Sequence, residues 1–414
     1  MFHLVSTNLQ PPLNRVGKVE DLKRSLLVST TKPIYKTRTY SRTVALVDFL
    51  RNNVKQLDKS VVFTNKTISL SDWIKQYLKP LTAEYKLDDF TELSIGVSQS
   101  LPFLDAYVEP LIHAFYVSKI QKRYYDLCIS TSGGGMRAVF LKKIGGTGFH
   151  VHEDHDYGPA WATDIVRRTY ATLFEKYMIL NADIVISVSR TLAEIRRKWG
   201  ATKVYTIPNG VDTKLFGKAV HLRLKNRPKN TLVYCGDIRH EWGVDLLLRA
   251  VDKVRKRRSI KLLLVGPCED ANIKRLIHKL ALTDNVLYLG TVPHTQLPYI
   301  FSQAVIGVAP YRRGFTAEYG DPLKIKEYLS SGLAVLSTKV GEIPSFLSKA
   351  GGGICVEPDV DELSDAIIQL LDEPKLLKEM SESGRNYVNK YFDWNHLFKE
   401  EMKTISRECV FNVV

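Results

Sequence analysis

Short apolar runs alternate with amphipathic stretches along most of this chain, and from residue 126 the alternation is regular. Leu127–Ser130, Gly148–His152, Ile184–Ser187 and Val204–Ile207 read as strands, separated by helices over Met136–Lys143, Thr163–Leu180 and Thr191–Trp199. A second series has strands at Leu232–Cys235, Lys261–Val265, Val286–Leu289, Val305–Val308, Leu333–Leu336 and Gly353–Val356. Its helices are expected over Val244–Lys256, Ala271–Leu280 and Gln296–Ser302, with further helical segments towards the C-terminus. The strand runs are continuously apolar, as in parallel sheets covered on both faces. Strand–helix alternation therefore predicts an α/β protein with two doubly wound sheets, whose ligands sit at the carboxyl ends of the strands. The turn cluster Pro208–Asp212 and the basic stretch from Lys214 to Asn230 mark the boundary. The expected units are 1–209 and 210–394, with 395–414 a C-terminal helix returning to the first. Upstream, Ser25–Ser29 and Val61–Phe63 read as strands, and Arg42–Asn53 and Tyr107–Tyr124 as helices.

At 414 residues, 44% of them hydrophobic, the chain has material for two cores. Its five cysteines include no Cys-x-x-Cys pair, which suggests neither a disulfide framework nor a zinc cage and fits a reducing compartment. No run of about 18 apolar residues appears, nor an apolar leader, so a soluble, cytoplasmic protein is expected. The net charge of +15 calls for anionic partners. The basic runs Lys214–Lys229 and Lys253–Arg258 could dock on the anionic inner face of a membrane. Nucleic acid is not expected, because no aromatics interleave with these charges.

The run Tyr319–Thr338 reads as a loop, a short helix capped by Asp321 with Pro322 in its first position, a stop at Gly332 and a buried strand. The positive end of that helix makes an anion site. Glu327, beyond its first turn, could accept hydrogen bonds from sugar hydroxyls or simply pair with Lys324 or Lys326. The loop Glu153-Asp-His-Asp156 follows a strand, where His155 and then Asp156 could position hydroxyls or move a proton. A solvated polar turn is the alternative. Metal ligation by His150, His152, Glu153, His155 and Asp156 is disfavoured, since alternation sets the two strand histidines apart from the loop carboxylates. Gly133–Gly135, between a strand and a helix, could admit a phosphate or an acceptor, or merely form a tight turn.

Asn181–Ser189 (NADIVISVS), Ile207–Asp212 (IPNGVD), Gly290–Val292 (GTV) and Pro322–Tyr328 (PLKIKEY) with Gly332, taken in this order, resemble the retaining nucleotide-sugar glycosyltransferases of family 4. The resemblance covers roughly residues 125 to 395. It implies the GT-B architecture, two facing Rossmann-like domains with the active site between them, and transfer of a sugar from a nucleotide diphosphate to an acceptor hydroxyl of a glycan, glycolipid or small molecule. By this resemblance Glu327 holds the donor ribose, the Val292 backbone meets the base, and Gly236, Pro322 and Lys324 face the diphosphate. His155 and Asp156 face the reacting sugar; Gly133, Gly134, Gly135 and Asn209 belong to the acceptor side. The family's first glutamate falls on Tyr319, and its arginine and lysine of the glycine loop fall on Asp237 and Trp242. Arg239 and Lys324 are the expected replacements, with Arg312 and Arg313 as further candidates. Lys32, Lys36, Arg38 and Arg42 are the candidate acceptor-side cations. No cofactor or metal is expected, because no Asp-x-Asp pair ends a strand. A nucleotide-sugar epimerase and a non-catalytic GT-B protein with a binding or regulatory role are the alternatives.

Overall fold

The computed structural model describes residues 25–29, 41–53, 61–62, 65–68, 82–87, 90–98, 114, 125–131, 134–162, 164–223, 229–314 and 316–410. Two six-stranded, all-parallel sheets organise them. The first runs Val61–Val62, Ser25–Ser29, Tyr125–Thr131, Thr147–Asp154, Ile184–Ser187, Val204–Thr206. In the second the order is Val286–Gly290, Lys261–Val265, Thr231–Cys235, Ile306–Ala309, Ala334–Thr338, Gly353–Val356. Its first strand in sequence, Thr231–Cys235, is thus third in space. The winding reverses between it and Ile306–Ala309, where the loops leaving the strands diverge and open a crevice.

The central strands are buried on both faces, including all of Leu232–Tyr234, Leu262–Val265 and Ala334–Leu336, while the edge strand Val286–Gly290 leaves Leu287, Tyr288 and Leu289 exposed. Helix Val244–Arg255 closes one side with Leu247, Leu248, Val251 and Val254. It starts at Gly243, whose φ of +73° and contact with the Pro310 carbonyl leave no room for a Cβ.

One expectation is corrected, and two elements were not anticipated. The basic stretch after Asp212, read only as marking the boundary, begins with a helix: Thr213–Leu222 is capped by the Asp212 carboxylate and anchored by buried Phe216. Residues 224–228 lie outside the described residues. A helix Ile343–Ala350, unanticipated, joins Ala334–Thr338 to Gly353–Val356. A separate three-stranded sheet, Asn65–Ile68, Phe90–Ser98 and Thr82–Leu87, was also not read from the sequence. The helix expected over Tyr107–Tyr124 lies, apart from Ala114, outside the described residues, as does Phe63.

The chain passes between the two units twice, at Ile207–Val211 and again at Phe392–Trp394, and the passes hydrogen-bond to each other. Helix Trp394–Val410 then packs into the core of the first unit beside Leu46 and Phe49. Phe398 is fully buried there, stacked on Trp394 at 5.0 Å, with Phe49 at 5.4 Å and the Arg42 guanidinium over its ring. Phe398→Ala should therefore destabilise the protein by roughly 3–5 kcal/mol. Urea unfolding measures this, and a loss below about 1 kcal/mol would mean that the helix is not part of that core.

Candidate active site

A cavity of about 530 Å³ lies between the two units at the carboxyl ends of their strands. The second unit supplies Cys235–Asp237, Trp242, Val265–Pro267, Thr291, Val292, His294, Tyr311, Gly320–Lys324 and Glu327. The first supplies Ser41, Arg42, His155, Asp156 and Trp161, and Asn209 comes from the connection between them. The volume suits an organic molecule of moderate size.

Helix Leu323–Ser330 forms one wall. Pro322 takes its N-cap position, not the first helical one, and makes no side-chain cap. Asp321 lies one residue earlier than a cap must, and its carboxylate is engaged elsewhere. It accepts the Asn209 backbone N–H at 2.7 Å and the Lys326 ammonium, while the Asn209 side chain donates to the Asp321 carbonyl at 2.6 Å. The cavity end of the helix therefore keeps its backbone N–H groups without a side-chain partner.

Glu327 pairs with neither lysine of its helix. Its Oε1 meets His294 Nε2 at 2.8 Å, and the carboxylate is buried in the cavity wall. His294 was not singled out from the sequence, although it stands two residues after Val292 in the same loop.

Lys324 makes no ion pair among the described residues. Its ammonium lies over Tyr234 at 4.3 Å, Tyr311 at 5.3 Å and Trp242 at 5.9 Å. A Cβ at position 236 would come within 2.6 Å of Nζ, so the glycine makes room for the lysine. Burial lowers the Lys324 ammonium to about 8 against the partial opposition of Cys235, Asp237 and Glu327. Arg239 is not on the cavity wall: it is 45% exposed and reaches towards Glu269 at 3.6 Å. Arg312 is bound to Asp245 and Arg313 to Glu357. Of the four candidate cations, only Lys324 lines the cavity. Asp237 and Trp242 do line it, and Trp242 meets Tyr311 edge-on at 5.6 Å and Trp161 of the first unit at 6.3 Å.

Across the cleft, the loop after Thr147–Asp154 is held by two arginines. Asp154 takes a two-point contact from Arg196 at 2.8 and 2.9 Å, and Arg196 also donates to the Asp156 carbonyl. Glu153 accepts from Arg42 Nε at 2.5 Å and from His155 Nε2 at 3.1 Å. Burial raises the Asp156 carboxyl, partly offset by His155. His150 and His152 are buried on the strand and both bond Ser130 Oγ, at 2.8 and 3.0 Å. Among the described residues no cluster of His, Cys, Asp and Glu could hold a metal.

Gly134 and Gly135 open helix Gly134–Lys143 and are buried off the cavity wall. A Cβ on Gly135 would strike the His152 ring and Met178 at 2.8 Å, so that glycine serves helix–strand packing. Gly133, Lys32, Lys36 and Arg38 lie outside the described residues. Arg42 does reach the cavity, bound to Glu153 and Glu401. The Lys253–Arg258 run carries ion pairs from Lys253 to Asp361, from Arg255 to Asp252, from Arg257 to Asp365 and from Arg258 to Asp372, so much of its charge is met by acidic neighbours.

Two family models match the chain: Glycosyltransferase Family 4 over residues 81–215 and Glycosyl transferases group 1 over residues 222–387. The MMP alpha-(1->4)-mannosyltransferase of Mycolicibacterium hassiacum is 27% identical over 56% of this chain and 56% of its own. The N-acetyl-alpha-D-glucosaminyl L-malate synthase of Bacillus anthracis is 26% identical over 52% of this chain and 58% of its own. The chain thus spans little more than half the length of these curated relatives. In fold it resembles the Sucrose-phosphate synthase of Thermosynechococcus elongatus, with a TM-score of 0.73 at 19% identity over 93% of this chain and 98% of the other. It also resembles Anabaena HepE in complex with UDP and glucose, with a TM-score of 0.69 at 15% identity over 93% and 99%. The fold is GT-B.

A lysine buried as a cation has a characteristic pH signature. Because its folded value, about 8, lies below the ordinary 10.5, the unfolded chain holds this proton more tightly and stability rises with pH between those values. Lys324→Met should remove that rise, on the order of 1 kcal/mol between pH 8 and 10. Parallel denaturant curves for both proteins test this, and identical pH slopes would show that Lys324 is fully solvated.

Proposed function

We propose, from the premise that this chain belongs to the family 4 (group 1) glycosyltransferases, that it transfers a sugar from a nucleotide diphosphate to an acceptor hydroxyl with retention of configuration. The observation that carries this reading is one cavity lined by a buried glutamate paired with His294, an ammonium without a carboxylate partner and an uncapped helix end. Glu327, oriented by His294, accepts the two ribose hydroxyls. The Val292 backbone, two residues before His294 on the same cavity wall, would meet the base. Lys324, Gly236 and the N–H groups after Pro322 receive the diphosphate. His155 and Asp156, from the opposite unit, face the transferred sugar, and Asn209 lies on the acceptor side.

The developing charge on the departing diphosphate is neutralised by Lys324 and the helix N–H groups rather than by a metal. One lysine does here what an arginine and a lysine do in relatives of the usual pattern. Arg239 would join it only if domain closure swings its exposed side chain inwards. Asp237 at this end of the cavity favours a second reading, a GT-B protein that binds a nucleotide sugar without turning it over.

The acceptor is proposed to be a glycan or glycolipid presented at a membrane surface. No helix among the described residues is long and apolar enough to cross a membrane. Helix Ile165–Leu180 instead begins with Ile165 and Val166 and carries Leu173 further along, each more than 60% exposed, with Arg167 and Arg168 next to the first two and close in sequence to the cavity residue Trp161. Apolar and basic side chains together suit the interface of an anionic bilayer.

Two measurements test these readings. In a thermal-shift screen against UDP, GDP, ADP and their sugar conjugates, run with and without EDTA, one nucleotide should stabilise the wild type by about 2–3 kcal/mol at a hundredfold excess over its Kd. The shift should vanish in Glu327→Ala and persist in EDTA; no shift with any nucleotide would overturn the donor site, and a shift without turnover would select the non-catalytic reading. In vesicle sedimentation, phosphatidylcholine vesicles containing phosphatidylserine should retain the wild type and release Ile165→Glu/Val166→Glu by about tenfold. Equal retention of both proteins would remove this surface from consideration.

A further inference from the structure

Beneath the loop that carries His155 lies a buried ionic cluster for which the proposed transfer has no direct use. Arg42 is its centre. Nε donates to Glu153 Oε2 at 2.5 Å, Nη2 donates to Glu401, and Nη1 donates to the carbonyls of Pro208 at 3.0 Å and Ile207 at 3.3 Å. The flat guanidinium lies over Phe398 and Trp394 at 5.4 and 5.9 Å. Arg42, Glu153 and Glu401 are each no more than 2% exposed. The cluster gathers four distant pieces of chain: the helix Arg42–Asn53, the loop of His155, the connection between the units and the C-terminal helix.

Two buried carboxylates around one arginine would leave a net negative charge, and Glu153 Oε1 and Glu401 Oε1 would each lack a partner. One proton resolves both problems. Burial, together with the neighbouring charge of Glu153, pushes the Glu401 carboxyl well above the usual range, and that group can then donate to Glu153. Burial alone would also raise Glu153, but Arg42 and the His155 hydrogen bond outweigh it and hold that carboxyl well below the usual range. The neutral set is Arg42 as a cation, Glu153 as an anion and Glu401 protonated. An ionised Glu153 can only accept hydrogen bonds.

We propose that Glu153 is a positioning residue for His155: its Oε2 accepts the Nε2–H of the ring at 3.1 Å, fixing the tautomer so that Nδ1 is left as an acceptor. This rests on the reading of His155 as a contact to the reacting sugar. A histidine so held recognises a ligand group that donates, such as a sugar hydroxyl, and not a phosphate oxygen or a carbonyl. The C-terminal helix becomes part of the site through Glu401, although it lies far beyond the loop of His155 in the sequence. A purely structural cluster would tie the helix down equally well, but it would not require the histidine to take one tautomer.

The test is nuclear magnetic resonance of the full chain labelled with ¹⁵N-histidine at pH 8, with His155 assigned by loss of its signals in His155→Gln. The wild type should show a single His155 tautomer, protonated at Nε2, whose proton exchanges with water about tenfold more slowly than in Glu153→Leu. Glu401→Gln, which mimics the protonated acid, should keep the wild-type signature. A protonated Nδ1 or averaged tautomers in the wild type would overturn the proposal, and so would a signature that survives in folded Glu153→Leu. Should Glu153→Leu fail to fold, the wild-type and Glu401→Gln spectra decide alone. Turnover of the donor found in the nucleotide screen distinguishes the two levels. Unchanged turnover in His155→Gln, with the signature intact in the wild type, would sink the reaction role of His155 and leave the positioning standing.

Discussion

The contact between Asp321 and Asn209 determines how the two halves of this protein meet. Asp321 is held by a backbone N–H from the connection between the units, by the buried ammonium of Lys326 and, through its own carbonyl, by the Asn209 side chain. Standing one residue before the N-cap Pro322, it does not cap the helix that follows it. The helix start is therefore left open to the cleft, and Lys324 and Glu327, three residues apart, both reach the cavity wall. Two further links flank this contact: Ser189 donates to the Tyr319 carbonyl, and Glu342 accepts from the Thr191 backbone. The same short segment, Tyr319 to Asp321, thus joins the units and orients the proposed donor site.

The cleft carries several charged groups, Arg42, Asp237, Asp321, Lys324 and Glu327 among them, but among the described residues Arg42 is ion-paired and Lys324 is not. By the resemblance an arginine and a lysine are expected in the glycine loop where Asp237 and Trp242 stand, and of the four cations considered for the diphosphate Lys324 alone lines the cavity. Three aromatic rings surround it instead of a carboxylate. Ring faces stabilise an ammonium without neutralising it, so the charge stays available to an anionic ligand. The depressed value of Lys324 follows from the same arrangement: burial acts on it without an ion pair to compensate.

The first unit shows the opposite economy. Glu153, Asp154 and Arg196 are all buried, and each has a charged partner with good geometry. The pleat of the strand sends Glu153 towards Arg42 and Asp154 towards Arg196, so successive residues are pinned on opposite sides. The loop that follows is consequently rigid at its root, where a residue facing a reacting sugar needs support.

How much of this was legible in the sequence follows the range of the physics involved. Continuous apolar runs such as Ile184–Ser187 and Lys261–Val265 must be buried strands wherever they end up, and their alternation with amphipathic helices leaves few sheets they can build. The two parallel sheets and the crevice were accordingly readable from local pattern, as was the placement of His155 just beyond a strand end and of Glu327 inside a short helix. The helix Thr213–Leu222 was hidden because lysines mask its apolar face in a simple reading, although Asp212 was a cap signal in plain view. What local pattern could not contain were pairings across the chain: Glu327 with His294, Arg42 with Glu153 and Glu401, Asp321 with Asn209, and Arg239 with Glu269 away from the cavity. Each depends on which side chains the completed fold brings within hydrogen-bond distance. The chain's residue types and periodicity determined the fold and the strand ends that bear the site, while only the tertiary structure decided which charge is paired, which is left free and which way each one points.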